Sequence, residues 1–263
     1  MISEEVLRPA QLKMLDILQA IDKICFKHDI KYFLACGTLL GAVRHKGFIP
    51  WDDDCDIAMM RSDYEKFMQV APGELPDHLF LQTHELDSNY PKKICKIRNK
   101  NTKLVECDET EHEKYCQGIF VDIFIYDYYP EWGRYVNKML EIGPHLRMKR
   151  KAYSKGSLMR AVVGLLTSIP YVLHVALRAL YLSIGKTFRK NQKMPLIGSE
   201  IILSEEKLFP KEVIFPLKRE RIFEGQEFYL PHDPDGYLKI YYGNYMQVPP
   251  PEKREIHAKK IEI

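Results

Sequence analysis

Gly37-Thr-Leu-Leu-Gly-Ala-Val-Arg-His-Lys-Gly-Phe-Ile-Pro-Trp-Asp-Asp-Asp-Cys-Asp-Ile57 joins a glycine-bearing turn to a cluster of four carboxylates, Asp52, Asp53, Asp54 and Asp56. Asp54 and Asp56 stand two residues apart and lead into the apolar run Ile57-Ala-Met-Met60, so the pattern predicts a strand over residues 55–60 with both carboxylates on one face. Two anions side by side repel unless a cation sits between them, which points to a hard divalent metal. At the other end of the stretch, a helix beginning near Gly37-Thr38 exposes free N–H groups and the positive end of its dipole, and glycine lets a phosphate approach the backbone closely. The combination suits transfer of a phosphoryl group from a nucleotide donor, where positioning and charge neutralisation supply most of the catalysis.

The segments on either side frame this stretch. Ser3 is placed to cap an amphipathic helix in which Leu7, Leu12, Leu15, Leu18, Ile21 and Ile24 recur at steps of three and four, up to about Lys27. A short strand over residues 31–35 then delivers the chain to Gly37. After residue 60 a helix begins at Arg61, with Ser62 or Asp63 available to cap it, and prolines 72 and 76 break it. Residues 79–83, 92–98, 103–106 and 118–125 read as strands. In the last of these Asp122 stands alone among apolar neighbours, and a buried carboxylate needs a partner. It would bind a metal with Asp54 and Asp56, or take the proton of an attacking hydroxyl. Arg44, His45, Lys46 and Arg98 are candidate phosphate partners. Further on, residues 221–230 read as a hairpin turning at Glu224-Gly225, residues 233–242 as a capped helix ended by Gly243, and Pro249-Pro-Pro251 as the end of regular structure before a charged tail.

Charge divides the chain unevenly. Between His145 and Ser199 lie eleven Lys or Arg and no Asp or Glu, which leaves 28 basic against 36 acidic residues elsewhere. Within that span the 17 residues from Ala161 to Leu177 are uncharged but carry Pro170 and His174, so apolar helices with basic flanks are expected to lie at an anionic membrane surface rather than cross it. The six cysteines show no paired CxxC spacing and the N-terminus has no secretory pattern, so a reducing, cytoplasmic setting is expected. Cys95, Cys107, His112 and Cys116 do not follow a recognised zinc spacing, and structural zinc is not expected. A calcium loop is excluded as well. Asp52, Asp54, Asp56 and Asp63 have the right offsets, but Ile57 occupies the position that requires glycine.

The stretch from Gly37 to Ile57 is similar to the signature of the LicD family, which includes the fukutin-related proteins. Phe120-Val-Asp-Ile-Phe124 resembles that family's third acidic motif, and Phe223-Glu-Gly-Gln-Glu-Phe228, Tyr241-Tyr-Gly-Asn-Tyr245 and residues 249–257, with His257, resemble its C-terminal pattern. The resemblance implies an α/β (α+β) fold, a nucleotidyltransferase-like mixed central sheet flanked by helices; it does not extend over the basic, apolar segment, which reads as a helical insert. The divisions would be a catalytic core over residues 1–144, the insert over 145–198, and a C-terminal part over 199–263 that completes the core. It implies a phosphotransferase that uses Mg²⁺, one ion or two, to move phosphocholine from CDP-choline to a sugar hydroxyl of a glycopolymer of the teichoic acid or lipopolysaccharide type. Asp54, Asp56 and Asp122 would be catalytic and metal-binding, and Gly37, Thr38 and His257 would join the phosphate partners. Trp51, Tyr126, Tyr128, Tyr129 and Trp132 are candidates for a choline cage, since a quaternary ammonium is drawn to aromatic faces. The expected partners are a CDP-linked donor, a lipid-linked oligosaccharide and the inner face of the cell membrane, with no nucleic acid. CDP-polyol-dependent transfer and nucleotidyl transfer are the enzymatic alternatives, and a catalytically silent membrane adaptor is the non-enzymatic one.

Overall fold

The periodic N-terminal segment forms a helix over its whole apolar repeat. In the computed structural model, which describes residues 3–92, 94–133, 180, 187–199 and 207–263, α1 runs Glu4–Lys27 and buries Leu7, Ala10, Met14, Leu18, Ile21 and Cys25 on one stripe. Each such fully buried aliphatic side chain contributes about 1.5–3 kcal/mol. Ser3 precedes α1 but makes no side-chain cap.

The chain divides into two compact units, residues 1–126 with 212–263, and residues 127–211. In the first unit the strands β1 (Tyr32–Leu34), β2 (Asp56–Met60), β3 (Leu79–Gln82), β4 (Cys95–Asn99), β5 (Lys103–Glu106) and residues 120–126 of β6 (Phe120–Tyr129) alternate with two further helices. These are α2 (Cys36–His45) and α3 (Arg61–Glu74). The main sheet has the order β1-β2-β6-β4-β3, with β2 and β6 parallel and the other neighbours antiparallel. The result is the expected α+β arrangement, a mixed sheet flanked by helices. All five residues of β2 are buried, in keeping with a strand that has no solvent face. No described helix is long and apolar enough to cross a membrane.

Some details depart from expectation for identifiable reasons. α3 has no side-chain cap at its N-terminus. Asp63 instead accepts the Lys31 N–H at 3.0 Å, tying α3 to the chain entering β1. The helix also passes Pro72, which removes a single donor in its last turn. The C-terminal tail does not end regular structure: after a 3₁₀ turn at Pro251–Lys253 it forms β11 (Ala258–Glu262), antiparallel to β5. Its Lys-Lys and Glu residues hide the strand pattern, because β11 has only one buried residue, Ala258. The hairpin of β9 (Lys218–Phe223) and β10 (Gln226–Leu230) turns through Glu224 and Gly225, both at positive φ, 52° and 68°. The last helix, α4 (Pro234–Tyr242), is capped by Asp233, which accepts the Gly236 N–H at 2.9 Å, and ends at Gly243 with φ 68°.

In the second unit β7 (Leu196–Ser199) pairs antiparallel with β8 (Leu208–Pro210). Tyr129 donates to the Ser199 carbonyl at 3.0 Å, and Arg189 lies 3.5 Å from the fully buried Asp127. The helices expected between residues 131 and 186 fall outside the described residues apart from 131–133 and 180, and the basic insert with its proposed membrane contact is described only at 180 and 187–198, where residues 196–198 belong to β7 rather than to a helix.

Gly118, at the entry to β6, is required by packing. A Cβ there would collide with the Asn99 carbonyl, whose strand is pinned by Asn99 N–H to Ile119 O at 2.8 Å. Gly118→Ala is expected to lower stability by about 2–3 kcal/mol in urea denaturation, as overpacking against backbone does.

Candidate active site

The register of the sheet assembles the site. Asp56 on β2 lies directly opposite Asp122 on the parallel strand β6, and Asp122 lies opposite Lys96 on β4. Lys96, Asp122 and Asp56 therefore form a row across three neighbouring strands, about 4.8 Å per step, on one face of the sheet. Asp54 precedes β2 on the loop from α2. The Thr38 hydroxyl accepts the Asp56 N–H at 2.7 Å, so α2 is stitched to the head of the acidic strand.

Burial, with Asp54 and Asp122 alongside, pushes the Asp56 carboxyl well above the usual range. Burial also raises Asp54, to about 6, with the His257 imidazole opposing and Asp122 reinforcing the rise. Asp52 is raised by burial and by Asp54 and Asp53, and its Oδ2 has no hydrogen-bond partner. Asp122 accepts from Lys96 Nζ at 3.0 Å through Oδ2, while Oδ1, 2.8 Å from the same ammonium, makes no hydrogen bond of good geometry. The cluster thus has more negative charge than Lys96 and His257 can offset, a surplus that a divalent cation would neutralise. Among the described residues, however, no three His, Cys, Asp or Glu side chains stand ready as a metal cage. Asp54 and Asp56 are the carboxylates that would hold such an ion.

Asp53 has a different task from its neighbours. Its carboxylate accepts the His257 N–H at 3.0 and 2.9 Å and the Ala258 N–H, so it fastens the start of β11 to the acidic loop. The same contact brings the His257 ring 3.3 Å from both Asp53 and Asp54, and the bond to Asp53 raises the imidazole to about 9 against the effect of burial. Asp53→Ala removes the acceptor of two backbone donors. At about 1.5–3 kcal/mol per charged hydrogen bond, the C-terminal strand is expected to detach, and limited proteolysis should then cut near residue 250 well before the wild type is touched.

The other sequence candidates fall into distinct settings. Gly37 does admit a close neighbour, but the neighbour is Asp52, whose Oδ2 would stand 2.9 Å from a Cβ at position 37. Thr38 is buried and its hydroxyl serves Asp56. Cys36, at the start of α2, holds φ 45°, a conformation uncommon for a side-chain-bearing residue. Arg44 donates to the Tyr245 carbonyl at 2.6 Å and to His45 Nε2 at 2.9 Å, and Lys46 is the exposed, left-handed C-cap of α2. Arg98 is fully buried, with donors committed to Gln82, the Gly118 carbonyl and Glu106 at 2.5, 2.8 and 3.4 Å. Its role there is to neutralise and bind the interior.

The aromatic candidates do not share one setting either. The Tyr126 hydroxyl meets Tyr237 OH at 2.9 Å in the interior. Trp51 carries the Arg254 guanidinium 3.9 Å above its ring. Tyr128, Tyr129 and Trp132 belong to the second unit, where Lys211 Nζ lies 6.0 Å from the Tyr128 centroid and Trp132 packs edge-on against Phe188.

Three residues at the site escaped the sequence reading. Lys96 is two positions from Arg98, so a strand with two basic residues on one face, set against the lone Asp122, was the available signal. Tyr242 had a weaker one, its place in the family-like stretch Tyr241–Tyr245: the residue is 41% exposed, yet burial and the nearby Cys36, Asp56, Asp52 and Asp54 raise its phenol. Arg254 lay within the family-like pattern of residues 249–257 but was not singled out there, because its position depends on the 3₁₀ turn before it.

A buried row of carboxylates on adjacent parallel strands, fed by a helix that starts at a small-residue turn, defines a nucleotidyltransferase-type domain. Residues 29–171 match the nucleotidyltransferase domain of the LicD/FKTN/FKRP family, and the chain belongs to the LicD family. It is 32% identical over 262 residues, covering 95% of both chains, to the lipopolysaccharide cholinephosphotransferase LicD of Haemophilus influenzae. Shorter similarities link it to uncharacterised proteins of Rickettsia prowazekii, 31% identical over 44% of each chain, and of Rickettsia typhi, 44% identical over 23% of this chain and 20% of that one.

Proposed function

We propose that this protein is a cholinephosphotransferase that moves phosphocholine from CDP-choline to a sugar hydroxyl of a lipid-linked, cell-surface glycopolymer of the lipopolysaccharide type, with Mg²⁺ held by Asp54 and Asp56. The observation that carries this reading is the pairing of Asp56 with Asp122 on adjacent parallel strands, in a chain similar over 95% of its length to a lipopolysaccharide cholinephosphotransferase. The metal, when bound, neutralises the phosphates of the donor and the charge that develops as they part. The acceptor hydroxyl attacks the phosphorus that bears choline, the bond to the CMP oxygen breaks, and CMP leaves. Asp122, raised by burial against the pull of Lys96, is placed to take the hydroxyl proton. Arg254 holds its guanidinium carbon 3.9 Å from the ring centroid of Trp51, the residue before Asp52, and among the described residues its Nη groups make no hydrogen bond. It is a better donor to the departing phosphate than Arg98, whose Nε and both Nη groups are occupied, or Arg44, whose Nε and one Nη are. The protein works at the inner face of the membrane, where its lipid-linked acceptor is displayed.

The test is CMP release from CDP-choline, CDP-ribitol and CDP-glycerol in the presence of lipid-linked acceptor. Release from CDP-choline that stops on EDTA addition is expected. Faster release from either polyol donor would overturn the choline assignment, and no release from any of the three would favour a silent membrane adaptor.

A further inference from the structure

We propose that Lys96 is a built-in cation standing where a two-metal enzyme would hold its second ion, so that this site takes a single divalent ion on Asp54 and Asp56. The inference rests on the metal-dependent reading above and decides the number of ions within it.

Two-metal sites place ions about 3.5–4 Å apart and bridge them through a shared carboxylate. Asp122 is the residue that could bridge here, since it sits beside Asp56 in register on the next strand. Both of its oxygens already face one ammonium, Oδ1 at 2.8 Å and Oδ2 at 3.0 Å from Lys96 Nζ. The ammonium is held from other directions too: it lies 3.3 Å above the Phe120 ring centroid and 3.6 Å from Glu106 Oε1, and the side chain is 2% exposed. A four-carbon stem packed into the sheet in this way has no solvent to swing into. A divalent ion on Asp122 would therefore have to share its ligand with a fixed positive charge at contact distance. One fixed charge thus supplies much of the neutralisation that a second ion would bring, without an ion that must be bound and released.

Counting bound Mn²⁺ by equilibrium dialysis and by its electron paramagnetic resonance signal tests this without reference to turnover. The wild type and Lys96→Arg are expected to bind one ion per chain, Asp122→Asn is expected to keep that ion, and Lys96→Met is expected to bind two. Circular dichroism checks that each variant is folded. If Lys96→Met does not fold, the count on the wild type and on Asp122→Asn still decides. Two ions on the wild type, or loss of the single ion in Asp122→Asn, would overturn the proposal while leaving a metal enzyme. No ion at all would overturn the metal-dependent reading with it, and CMP release insensitive to EDTA would accompany that result.

Discussion

Asp56→Asn is expected to abolish CMP release and to raise the melting temperature in the same protein. Asp56 is 6% exposed and stands among Asp54, Asp122 and Asp52, each of which disfavours its charged form. The amide keeps the shape and keeps the backbone N–H that Thr38 accepts, so nothing in the packing is lost. What it removes is a buried negative charge with too few countercharges, and metal-free protein should gain about 1–2 kcal/mol, or roughly 2–4 °C per kcal/mol for a chain of this size. The same charge is what would hold the cation against the donor phosphates, and losing one such electrostatic contribution lowers turnover by about 10²–10³-fold or more. Calorimetry in EDTA and the CMP assay read the two effects separately. An active variant, or one less stable than the wild type, would show that Asp56 is an ordinary structural carboxylate.

Arg98→Met is expected to do the opposite: to unfold the protein readily while leaving donor binding alone. Arg98 has no exposed surface, donates to Gln82, the Gly118 carbonyl and Glu106, and lies 4.9 Å over the Phe120 ring. Removing a buried charge from such a set strands its partners, at a cost of about 3–5 kcal/mol. Glu106 shows how strongly that network is neutralised: burial acts to raise it, yet Lys96, Lys92 and Arg98 together bring it down to about 2. The expected result in urea denaturation is a midpoint shift of that size, with the KM for CDP-choline in the folded fraction unchanged within about threefold. A KM raised tenfold at undiminished stability would instead make Arg98 a phosphate ligand.

The legible features were those set by local chemistry. The apolar stripe of α1, the Glu224-Gly225 turn and the Asp233 and Gly243 caps of α4 follow from spacing and backbone preference, and each stands where the pattern places it, apart from Leu12 of the stripe, which is exposed. Strand β11 was not legible, because a strand paired on one edge needs little apolar surface, and Lys259, Lys260 and Glu262 read as a solvated tail. Asp53 was read as one of four similar acids, and only the fold separates it by delivering the His257 and Ala258 N–H groups to its oxygens. Arg98 is the converse case: a lone arginine in a strand looks available from the sequence, and pairing of β4 with β6 encloses it.

For the stretch from Gly37 to Ile57, sequence alone determined that acidic residues would lead into a buried strand behind a small-residue turn, because side-chain alternation and glycine's lack of a Cβ are local properties; of the two carboxylates expected on that strand's face, Asp56 begins β2 and Asp54 stands on the loop before it. Only the tertiary structure decided which charges those carboxylates meet. Asp56, Asp122 and Lys96 are separated in sequence by tens of residues, and their alignment depends on strand register, which is set by burial of the whole sheet rather than by any one segment. A shift of one residue in either pairing would send these side chains to the opposite face and leave three buried charges without partners.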